Sequence, residues 1–135
     1  MKALLPALLI LLCAACQKKS DHHHGDARAV DNTENPLYRE VINIHDEGMA
    51  LMDSLYKTKR SLQTRLEMPG LSTNDKEDLM LKIARIDSAD NGMRVWMRQF
   101  DPPADSALQE SYLQSELTKV RKVRDDIHRA LESAQ

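Results

Sequence analysis

The sequence has little of what most small folds rely on. Its 135 residues include four glycines and two cysteines. β-branched residues are sparse, and apolar and polar residues nowhere alternate as a half-buried strand requires, which argues against a sheet. The cysteines, Cys13 and Cys16, both lie near the N-terminus. The rest of the chain therefore has no disulfide, no thiolate ligand and no cysteine nucleophile. Long apolar runs are missing too: residues 3–12 give about ten in a row, against the roughly 20 that span a bilayer core as a helix. Basic charge is not in excess. The formal net charge is −2, and it falls to about −3 if Lys2 is removed, which excludes the strongly basic face of a nucleic-acid binder. No glycine-rich phosphate loop, His-Glu-x-x-His zinc spacing or nucleophile–base pair occurs, so neither catalysis nor a cofactor is expected.

What is present starts with Met1-Lys2, the apolar run, and Cys13-Ala14-Ala15-Cys16. A basic start, a short apolar stretch and small residues before a cut site mark a secretory signal. A cysteine directly after two alanines resembles the lipobox of bacterial lipoproteins, in which that cysteine is acylated and becomes the new N-terminus. Leu12 is too bulky to precede a processed Cys13, which leaves Cys16. The pattern departs from the lipobox at one place, where Cys13 stands instead of Leu, Val or Ile. The resemblance implies a signal peptide over residues 1–15 and membrane attachment through palmitate-type chains on Cys16. Two or more such chains give stable anchoring, each buried methylene contributing about 0.8 kcal/mol. Gln17 follows the cysteine, so nothing resembles the inner-membrane retention signal of enterobacteria, and the outer membrane is favoured over the inner.

Residues 16–35 are polar without hydrophobic period and read as a flexible tether of roughly 25 Å mean span. His22-His23-His24 lies within it. Such a triplet can capture Zn or Cu weakly, or have no role. Asn35-Pro36 then supplies a cap and a first helical residue. Leu37, Val41, Ile44, Gly48, Leu51, Leu55, Leu62 and Leu66 form one amphipathic stripe, ended by Met68-Pro69-Gly70. Ser72 to Asn74 opens a second helix, with Leu79, Ile83, Ile86, Asp90, Met93, Met97 and Phe100 on its stripe. Asp101-Pro102-Pro103 stops it. A third helix from Asp105 carries Leu113, Glu116, Val120, Val123, Ile127, Ala130 and Ala134. The expectation is an all-α, up-down-up antiparallel three-helix bundle, coiled-coil-like, over residues 36–134.

Folding these helices about their loops gives a register in which Gly48 faces Met93 and Trp96 lies opposite His45. It also sets Asp90 against Glu116 in the apolar stripes. Two facing carboxylates would share a proton or a cation, or form a polar layer that fixes register; alternatively Glu116 turns out to water. A second candidate is a soft-ligand set, His45, Met49, Met52, Met93 and Met97, whose imidazole and thioethers suit Cu(I). The same methionines also read as ordinary gap-filling core. Lys119, Arg121, Lys122, Arg124 and Arg129 are interleaved with Asp125 and Asp126, which is the pattern of a solvated face.

Ile44-His45-Asp46-Glu47, Trp96-Met97-Arg98-Gln99-Phe100, and Tyr112-Leu113 with Glu116, Lys119-Val120 and Val123 resemble a family of small Bacteroidetes-type lipoproteins. Its members often carry the label "viral A-type inclusion protein". The resemblance spans roughly residues 36–131 and implies location and fold, with no activity attached. The leading expectation is a lipid-anchored structural or interaction module of the cell envelope, exported, with an unknown envelope protein as partner. The alternative is a small copper- or zinc-type metal-binding lipoprotein, and self-association into a homo-oligomer stays open beside both.

Overall fold

The computed structural model describes residues 34–135. The signal segment, Cys13, Cys16, His22-His23-His24 and the tether as far as residue 33 lie outside the described residues. Helix α1 runs over Pro36–Ala50, α2 over Met52–Leu66, α3 over Thr73–Gln99 and α4 over Ser106–Ser133. Each start has a local cause. The Asn35 side chain accepts the Leu37 N–H at 2.9 Å, with Pro36 at the first helical position. Ser72 accepts the Asp75 N–H at 3.2 Å and donates its hydroxyl to the Asp75 carboxylate at 2.7 Å. Asp105 accepts the Ala107 N–H at 2.9 Å. Gly70 takes φ +87° in the α2–α3 turn, a left-handed value that glycine adopts without steric cost.

The bundle has three rods, because α1 and α2 form one bent, joined pair. The stripe over residues 37–66 reads as a single helix, but the structure interrupts it at Leu51, whose N–H bonds back to the Gly48 carbonyl at 3.1 Å. This three-residue closure is the tighter 3₁₀ pattern, which occurs where a helix is perturbed. The interruption falls three residues after a close approach of two helices. A Cβ on Gly48 would collide with the Met93 methyl, and Ile127 stands behind it. Around this close approach α1 rests mainly on α4, and α2 mainly on α3. The Glu40–Arg121 and Glu47–Arg124 pairs advance together along α1 and α4, so those two helices run parallel. With α3 reversed between them, the order is up, down, up.

Core residues alternate along all three rods: Val41 and Leu55, Ile86 and Met93, Leu113 and Ile127 are each at most 1 % exposed. Full burial of such side chains contributes about 1.5–3 kcal/mol each. None of the described helices is long and apolar enough to cross a membrane.

Candidate functional site

One end of the bundle collects most of the chain's aromatic surface: its only tryptophan, its only phenylalanine and two of its three tyrosines. Trp96 stacks on Phe100 at 4.9 Å between centroids. Phe100 in turn lies 5.9 Å from Tyr38 and 6.1 Å from Tyr112. His45 closes the cluster from α1, its ring 5.5 Å from Trp96. The antiparallel α1–α3 register thus matches the sequence reading on both counts, Gly48 against Met93 and His45 against Trp96.

Beneath the aromatic rings is Glu116, only 3 % exposed. One of its oxygens accepts the Trp96 indole N–H at 2.9 Å and the other accepts the Lys119 ammonium at 2.7 Å. A buried carboxylate is tolerable only with such partners. The hydrogen bond to Glu116, reinforced by its charge, holds the Lys119 ammonium above its ordinary pKa. With one bond on each oxygen, Glu116 fixes the indole and ties it to Lys119. Nearby, the Tyr112 hydroxyl accepts the Asp101 N–H at 2.6 Å. Burial pushes the Tyr112 phenol up, against the opposing pull of that hydrogen bond. Gln109 ties three elements together: it accepts from Asn35 at 3.3 Å and donates to the Pro103 carbonyl at 3.1 Å.

The expected Asp90–Glu116 pair does not form. Asp90 has 36 % of its side chain exposed and holds Arg94 through two hydrogen bonds, at 2.8 and 3.1 Å. The connection between α3 and α4 explains the difference. Phe100 and Asp105 are both extended (ψ 104° and 115°), and Pro102-Pro103 stiffens the chain between them. This carries the chain past the end of α3 before α4 turns back. The partner of Glu116 on α3 is therefore Trp96, and the α3 segment around Ala89 lies beside Lys122 and Asp126, nearly two helical turns later in α4. The polar layer is a carboxylate and an indole. It needs no shared proton and no bridging cation. Nor does Glu116 turn outward; it is buried.

The soft-ligand set separates into three parts. Met93 is fully buried against Gly48. Met52 lines a small groove of about 160 Å³ between α2 and α3, with Tyr56, Lys59 and Asp90. His45 lies against Trp96 with 20 % of its side chain exposed, and Met49 and Met97 are 38 % and 39 % exposed. His45 Nδ1 lies 2.9 Å from the Asp46 carboxylate. Among the described residues, no group of three or more His, Cys, Asp or Glu side chains could hold a metal ion.

The basic residues of α4 are engaged within the chain. Arg121 pairs with Glu40, and Arg124 with both Glu47 and Asp125. Burial pushes Asp126 up, but hydrogen bonds from Lys122 and Arg129 outweigh it and hold the carboxyl below its usual range. These last residues wall an open groove of about 750 Å³ between α3 and α4, floored by Ala89 and Ala130 and bordered by Arg85, Ser88, Glu132 and Ser133. The groove and the aromatic cluster were not legible beforehand. Tyr38, Tyr112 and Gln109 sit near helix ends, where the periodic stripe is weakest. Their only signal was aromatic and amide groups flanking a Pro-Pro turn. Comparison with protein-family models, with curated proteins and with solved structures returns no match.

Proposed function

We propose that this protein is a lipid-anchored structural or interaction module of the bacterial cell envelope, attached through acyl chains on Cys16 and presenting its bundle to a protein partner. In this reading it has no catalytic activity of its own. The observation that carries the proposal is the placement of Cys16: it follows a short apolar run and Ala14-Ala15, and only a polar stretch separates it from the helix cap at Asn35. Such a chain has one anchor and one folded mass. The resemblance to small Bacteroidetes-type lipoproteins agrees with it. The α3–α4 groove supports the interaction part, since it is open, floored by small residues and bordered by both signs of charge.

The test has two arms. Labelling cells with a palmitate analogue is expected to mark the wild-type chain and not Cys16→Ser, which should move from the membrane to the soluble fraction. A Cys16→Ser chain that stays membrane-bound and labelled refutes the anchor. A photo-crosslinking residue at Ser88 or Ser133 is expected to capture a protein of different mass. Capture of the chain by itself alone would replace the partner with a homo-oligomer.

A further inference from the structure

Where α1 faces α3 across His45 and Trp96, three soft donors lie outside the fully buried core. His45 and Met49 are one turn apart on one face of α1. Across the seam, the pairings of His45 with Trp96 and of Gly48 with Met93 bring Met97 to the level of His45. Core packing accounts for Met93, which is 0 % exposed; it does not account for Met49 and Met97, which are 38 % and 39 % exposed. A single exposed methionine needs no explanation. Two of them, each within about one helical turn of the level of one imidazole, make a candidate donor set.

The surroundings suit a soft cation. The Asp46 carboxylate lies 2.9 Å from His45 Nδ1. With the proton on Nδ1 the carboxylate accepts it, leaving the Nε2 lone pair free; such an outer carboxylate orients a ligating imidazole and raises its basicity. Trp96 offers an aromatic ring 5.5 Å away, its indole N–H fixed on Glu116, and aromatic faces attract cations. Hard oxygen donors do not converge here, so the site lacks what Mg, Ca or a Zn carboxylate centre would use. Thioether and imidazole select a monovalent d¹⁰ ion.

We propose that His45, Met49 and Met97 form a Cu(I) site on the surface of the bundle, with Trp96 as its aromatic wall and Asp46 as the carboxylate that orients the imidazole. This site does not depend on the lipid anchor, and the two proposals fail independently.

Anaerobic Cu(I) titration of the full chain against a chromophoric chelator tests it, with Trp96 fluorescence as the local readout. The chain used carries Cys13→Ala, Cys16→Ala, His22→Ala, His23→Ala and His24→Ala, which removes every thiol and the histidine run. One Cu(I) is expected to bind and quench Trp96, while Zn(II) leaves the emission unchanged. Adding Met49→Leu and Met97→Leu, near-isosteric swaps at half-exposed positions, is expected to abolish saturable uptake with unchanged helical circular dichroism. Asp46→Asn is expected to lower affinity roughly 10- to 100-fold. No quenching at micromolar Cu(I), an equal response to Zn(II), or undiminished binding by the folded double methionine variant would overturn the site.

Discussion

Glu116 holds the Trp96 indole through a buried side-chain hydrogen bond. The Trp96 indole N–H has no other acceptor within reach among the described contacts, and both groups are at most 5 % exposed. Glu116→Leu would leave that donor buried and unpaired, at a cost of about 1–3 kcal/mol. Chemical denaturation should register this as a lower midpoint. Asp90→Leu is the natural control, since Asp90 bonds only Arg94 at the surface; its midpoint is expected to stay within error of wild type. Tyr112 contributes to the alkaline limb. Its folded-state pKa is raised above 10.0, mainly by burial. The folded form therefore holds the phenolic proton more tightly than the unfolded chain. Stability from this group is complete below pH 10 and is lost as the pH climbs through the raised value. Tyr112→Phe should flatten the fall in thermal midpoint above pH 10, although Lys119, raised in the same sense, will keep part of it.

Among the elements, the bent α1–α2 rod and straight α3 use glycine in opposite ways. In a helix interior glycine costs up to about 1 kcal/mol relative to alanine. At Gly92 in α3 nothing stands within 4 Å of an added Cβ, so Gly92→Ala is expected to stabilise by about that amount. At Gly48 the added methyl would strike the terminal methyl of Met93, which must then shift within a fully buried site. Overpacking of a core costs about 1–3 kcal/mol, which outweighs the propensity gain. Gly48→Ala is expected to be less stable than wild type, while Gly92→Ala is more stable. Parallel thermal melts of the two variants decide it, and equal shifts of the same sign would refute the packing account of Gly48. The periodic stripe identifies Gly48 as a packing position, but it contains nothing that marks Leu51 as the point of interruption. That interruption depends on which neighbour each half rests against.

At the scale of the whole molecule, the buried apolar residues form one cluster that runs from Val41 to Ala134. The rods share that cluster, so under the proposed lipid anchoring the fold would not depend on the acyl chains. Cys16→Ser is expected to keep the wild-type thermal midpoint and helical signal when both proteins are compared in the same detergent. A large loss of stability would mean that the segment before Asn35 contributes to the core. The basic residues of α4 are matched within the bundle: α4 meets α1 through Arg121–Glu40 and Arg124–Glu47, and meets itself through Asp126. What remains distinctive on the exterior is the α3–α4 groove and the His45–Met49–Met97 seam.

The sequence alone determined the helical class, the caps at Asn35, Ser72 and Asp105, the stop before Pro102-Pro103, and the contacts of Gly48 and His45 across the first turn. These are set by local chemistry: cap side chains bond N–H groups within three residues, proline limits its neighbour, and a tight turn such as Met68-Pro69-Gly70 fixes the register of the helices it joins. Only the tertiary structure decided that Trp96, and not Asp90, meets Glu116. Between α3 and α4 the chain runs extended through two prolines, and the distance it covers there sets the register of every later contact. A displacement of nearly two turns turned an expected carboxylate pair into a carboxylate–indole bond. Sequence periodicity shows which face of a helix is buried; how far one helix slides along another depends on the path of the loop between them.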